Sequence, residues 1–128
     1  EVEAMLRRAT TSVLIEQQYI RTQQAPVRRL LDAIKAAREE HPGLEVRIIV
    51  AGPSFGPDAK IEESLQGLSA DYELKTGKNV RLLSNAHFAH CHNKLVVVDG
   101  QVALVSSQNW SETAVGTNRE AGVIVPHR

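Results

Sequence analysis

The stretch His92-Asn93-Lys94-Leu95-Val96-Val97-Val98-Asp99-Gly100 sets a polar pair, a four-residue apolar run and a turn dipeptide in one line. In extended backbone, residues two apart share a face, so His92 and Lys94 emerge together and Asn93 turns away. The run from Leu95 to Val98 has no polar member, which is the pattern of a strand buried on both faces, and such a strand rarely carries charge at its mouth without a use for it. Asp99-Gly100 is a hairpin turn signal, and it predicts an antiparallel return along Val102 to Val105. Chemistry is expected at the ends of this strand.

Working outward, Ser12 to Gln17 reads as a strand and Pro26 to Glu40 as a helix that starts at a favoured proline position, with Leu30, Leu31, Ile34 and Ala37 on one face. His41-Pro42-Gly43 stops it. Glu45 to Ala51 alternates and then runs apolar, a strand ending at Gly52-Pro53. Helical spacing resumes through Ile61, Leu65 and Leu68, with the break expected near Gly77. Val80 to Leu83 and Gly122 to Val125 complete the strands. Strand, helix, strand, helix and then several strands predict an α/β fold, a mixed β-sheet flanked by helices, with no internal repeat of 20 to 50 residues.

With 128 residues, 42% of them hydrophobic and 23% charged, the chain supports one domain over residues 1–128 with a sizeable core. Fifteen basic and fifteen acidic residues give zero formal charge, so no global positive field argues for nucleic acid. A single cysteine, Cys91, excludes an internal disulfide, and no apolar run is long enough to be a transmembrane segment. No initiator Met stands at Glu1, and the last strand-like run is followed only by Pro126-His127-Arg128, which gives the expectation of a domain excised from a longer protein.

The pattern His92-x-Lys94, four residues, then Asp99 resembles the signature of the phospholipase D superfamily. The resemblance continues in Ser106-Ser107-Gln108-Asn109-Trp110-Ser111, similar to the family's Gly-Ser-x-Asn segment, and in Asn118-Arg119-Glu120, similar to its Asn-x-Glu. Ser106 departs from the pattern, standing where the family usually has Gly and narrowing the backbone conformations available. Upstream, Glu16-Gln17-Gln18-Tyr19 resembles the strand that opens the second repeat of two-motif members. The resemblance implies a phospholipase D-like fold, with this chain as one half of a pseudo-twofold two-repeat arrangement.

The chemistry that fits these residues is phosphoryl transfer through a covalent intermediate. An imidazole attacks phosphorus in line to give a phosphohistidine, and a second imidazole protonates the leaving oxygen and then activates water. Lys94 would stabilise charge on the non-bridging oxygens, with Asn109 and the Ser107 hydroxyl as neutral donors that also bind substrate. Asp99 or Glu120 would hold an imidazole in its tautomer. No metal and no cofactor is expected. Because the reaction needs two His-Lys pairs and the chain holds one, it implies a second motif-bearing half from a parent protein, or a homodimer mate. His92 as nucleophile and His92 as general acid both stay open, with the second-repeat resemblance favouring the acid.

Competing readings exist for each residue. His92, Lys94 and Asp99 read alone as a strand end with incidental charges, but the simultaneous Ser107, Asn109 and Glu120 matches argue against that. Asn109 also suits a cap for the segment after it, and Ser107 a hydroxyl bonded to backbone. Trp110 and Tyr19 read as packing residues. His87, His90, Cys91 and His92 are dense enough to suggest zinc, but their spacing matches no paired-ligand arrangement. Arg38-Glu39-Glu40 reads as a solvated helix face. The expected substrate is a phosphodiester, a phospholipid head group first. A metal-independent endonuclease acting on nucleic acid and a non-catalytic phosphate-binding or assembly domain are the alternatives.

Overall fold

A computed structural model of the chain describes residues 2–53, 58–83, 94–106, 110 and 122–126. These residues form helices α1 (Val2–Arg7), α2 (Ala25–Glu40) and α3 (Ala59–Tyr72) and strands β1 (Ser12–Gln17), β2 (Glu45–Ala51), β3 (Val80–Leu83), β4 (Leu95–Val98), β5 (Val102–Ser106) and β6 (Gly122–Pro126). The strands make one mixed sheet in the order β3-β2-β1-β4-β5-β6. β1, β2 and β3 are parallel, and β4, β5 and β6 join them by antiparallel pairings. Among the described residues no helix is long and apolar enough to cross a membrane.

One face of the sheet carries the core. Val13 and Ile15 of β1, Val46 and Ile48 of β2, Val80, Val96 and Leu104 are buried there with Val27, Leu30, Leu31, Ile34 and Ala37 of α2. The strand spans predicted from β1 to β4 match the structure residue for residue. β5 and β6 each run one residue further than expected. The turn between β4 and β5 holds Asp99 at φ 55° and Gly100 at φ 63°, the left-handed conformation that this dipeptide tolerates, and Gln101 N–H donates to the Val98 carbonyl at 3.0 Å.

Three expectations change. Helix α1 is too short to announce itself by periodicity; it is held by packing against α2, with Met5 and Leu6 buried. Helix α3 ends at Tyr72, well before Gly77, because Glu73 turns left-handed at φ 54° and lets Leu74, 1% exposed, fold back with its N–H on the Leu68 carbonyl. The start of α3 is fixed by Asp58, whose carboxylate accepts from the Lys60 and Ile61 N–H groups. Strand β4 is not buried on both faces. Val96 and Val98 are buried, whereas Leu95 and Val97 are half-buried, on the side where Leu14, Val105, Val123 and Val125 stand exposed.

Candidate functional site

The carboxyl ends of β1, β2, β3 and β5 and the amino ends of β4 and β6 share one edge of the sheet, as the registers require. β1 sends the chain to one side, toward β2, while β4 returns on its other side, a reversal of the kind that opens a crevice at the strand ends in α/β sheets. Lys94 stands at this edge, half-buried, immediately before β4. Its carbonyl accepts the Ser106 N–H at 3.1 Å, so Lys94 and Ser106 are tied together here. Ser106 is the last residue of β5, half-buried and paired with Gly122.

Asp99 lies at the other end of β4, five residues from Lys94, or roughly 16 Å at the rise of a strand. Its carboxylate accepts the backbone N–H groups of Thr10 (3.0 Å), Thr11 (2.7 Å) and Ser12 (3.1 Å), and the Thr10 and Thr11 hydroxyls at 3.2 and 3.1 Å. Its own N–H donates to the Ser12 carbonyl at 2.8 Å. Burial alone would raise its pKa, but donors from Thr11, Ser12 and Thr10 outweigh it and hold the carboxyl down at about 2. The structure therefore does not bring Lys94 and Asp99 together. His92, Ser107, Asn109 and Glu120 lie outside the described residues, as do His87, His90 and Cys91. Among the described residues no group of His, Cys, Asp and Glu side chains is arranged to hold a metal.

Gln17 and Gly52, at the carboxyl ends of β1 and β2, also stand at this edge. Gln17, the last residue of β1, is 1% exposed, and among the described residues its Oε1 and the Thr22 Oγ1 are the buried side-chain oxygens without a hydrogen-bond partner. Gly52, just beyond β2, has no room for a side chain, since a Cβ there would stand 2.6 Å from the Leu83 carbonyl oxygen. Trp110 is buried at 1% exposure, the packing residue expected. Tyr19 is not a core residue but half-buried, with the Arg21 guanidinium 4.2 Å from its ring centroid. Arg38 is not merely solvated, because it donates to the Tyr72 carbonyl at 2.9 Å.

Residues 2–128 match the family described as cardiolipin synthase, PLD-like domain. The chain belongs to the phospholipase D-like family. Solved structures agree on the fold. Nuc from Salmonella typhimurium, described as a phospholipase D family member, superposes with a TM-score of 0.69 at 19% identity, over 98% of this chain and 72% of that one. NucT from Helicobacter pylori gives 0.67 at 22% identity, over 96% and 73%. The phosphatidylserine synthase of Haemophilus influenzae Rd KW20 gives 0.76 at 13% identity, covering 98% of this chain but 30% of the synthase. No curated protein matches the chain. Membership in the phospholipase D-like family makes phosphodiester chemistry the general kind of activity.

Proposed function

We propose that this chain is one half of a phospholipase D-type active site that hydrolyses or transfers a phosphodiester through a phosphohistidine, with a phospholipid head group as the preferred substrate. The observation that supports it best is the joining of the Lys94 and Ser106 segments at the carboxyl edge of the sheet. In this reading His92 supplies the imidazole, and Lys94 with Asn109 and Ser107 carries the charge that develops on the phosphoryl oxygens. Glu120 orients the ring. Asp99, whose oxygens are already taken up by Thr10 to Ser12, acts instead as the clamp that fixes the strand on which Lys94 sits.

Two imidazoles are needed, one to attack phosphorus and one to protonate the leaving oxygen, so a second motif-bearing half from a longer parent or from a mate completes the site. The test is hydrolysis of bis(p-nitrophenyl) phosphate in EDTA by the chain and by His92→Ala, with sizing chromatography alongside. Turnover from a dimer, lost in His92→Ala, is the expected result. Turnover that survives in the variant overturns the assignment.

A further inference from the structure

We infer that Arg21 is a specificity residue at this edge, receiving a second phosphate group of the substrate next to the phosphodiester handled at Lys94. The inference builds on the phosphodiester reading above. Arg21 is held on three sides: its N–H donates to the Trp110 carbonyl at 2.8 Å, its carbonyl accepts the Gln24 N–H at 3.1 Å, and its guanidinium lies 4.2 Å from the Tyr19 ring centroid. Much of the rotamer freedom that a surface arginine loses on binding is therefore already lost.

A second stacked arginine shows what is unusual here. Arg28 lies over the Tyr72 ring at 5.3 Å and also pairs with Asp71 at 3.1 Å, so its charge is answered within the fold. Among the described residues Arg21 has the stack without a carboxylate. Stacking occupies the flat face of a guanidinium and leaves its in-plane N–H donors free, the fork that fits two phosphate oxygens.

Position supplies the rest. Ile20 bridges to Trp110, the residue that follows Asn109 in the chain, and Gln17 ends β1, whose Glu16 pairs with Leu95, the residue after Lys94. Four residues from Gln17 to Arg21 span at most about 14 Å, so Arg21 lies beyond the carboxyl end of β1, the same end of the sheet at which Lys94 enters β4. A substrate with two phosphates separated by a short linker would meet Lys94 with one and Arg21 with the other. A nucleotide backbone and a two-phosphate lipid head group share that chemistry.

The test is calorimetric binding of thymidine 3′,5′-bisphosphate against thymidine 5′-monophosphate, and of glycerol 1,3-bisphosphate against glycerol 3-phosphate, to the chain and to Arg21→Gln, Arg21→Lys and Lys94→Gln, with circular dichroism to show that each variant is folded. The chain should favour at least one bisphosphate by tenfold or more over its monophosphate. That ratio should collapse to near one in Arg21→Gln and partly recover in Arg21→Lys, and the pair that shows it identifies the source. A ratio near one in the parent chain, or a ratio unchanged in Arg21→Gln, overturns the inference. Lys94→Gln should weaken monophosphate and bisphosphate alike; if it weakens neither, the phosphodiester reading fails, whatever Arg21 does.

Discussion

At its far end β4 uses Asp99 to gather three consecutive N–H groups and two hydroxyls from the start of β1, while at its near end the Lys94 carbonyl accepts the Ser106 N–H. Both are charged residues bordering the same apolar strand. The far end is locked by side-chain hydrogen bonds. The near end is locked by backbone and by Gly52, where only a missing side chain permits the approach to Leu83. A backbone bond at the near end does not depend on which side chain stands at position 94.

Substitutions at the two ends should therefore separate activity from stability. Lys94→Gln is expected to lower turnover by about 10²- to 10³-fold, the effect of losing one transition-state donor, while the backbone bond to Ser106 is kept and the unfolding midpoint shifts less than in Asp99→Asn; a drop in stability that tracks the activity loss would break the contrast. Asp99→Asn should do the reverse and cost about 1–3 kcal/mol in urea unfolding while the folded fraction turns over normally. Because the folded pKa lies below the ordinary value, the Asp99 contribution is full above about pH 4 and is lost as pH falls toward about 2. The gap between wild type and Asp99→Asn should close over that window, and a constant gap would show that charge is not the cause.

Two glycines sharpen the comparison further. Gly52→Ala at the site edge forces its Cβ against a backbone carbonyl and is expected to cost about 1–3 kcal/mol, whereas Gly43→Ala at the opposite end of β2, with nothing within 4 Å, should be neutral or stabilise by about 0.5 kcal/mol. Thermal unfolding of both variants checks this, and equal costs would mean that the site edge is not the tighter of the two. The smallest effect is expected from Thr22→Val. It removes a buried hydroxyl that has no partner among the described residues and should shift stability by less than about 0.5 kcal/mol in either direction; a loss above about 1 kcal/mol would reveal a hydrogen bond to that oxygen.

The strands were legible because their apolar runs are bounded by Gly, Pro and Asp, and the β4–β5 turn because Asp99-Gly100 needs left-handed backbone. Helix α1 was not, since six residues held by contact with α2 leave too short a period to read. The end of α3 was misplaced because burial of Leu74, a tertiary event, decided it before Gly77 did. Motif spacing found Lys94 and Asp99 but did not separate their surroundings, because the donors to Asp99 lie 87 to 89 residues away. Arg21 was invisible for the same reason. Only the folded chain sets Ile20 against Trp110.

The Asp99 clamp also bears on how the chain assembles as it is made. β1 is an inner strand of the sheet, yet its β4 side and the three amides at its start wait for residues near 99, which at bacterial or eukaryotic elongation rates of about 5–20 residues per second follow some 4–18 s behind. During that interval β1 can pair only with β2, through a helical crossover, leaving a row of open N–H and C=O groups on its other side. Synthesis of the β4–β5 hairpin closes that row and the clamp in one event, so a ribosome stalled before Asp99 holds an unprotected strand edge, and one stalled well past it does not.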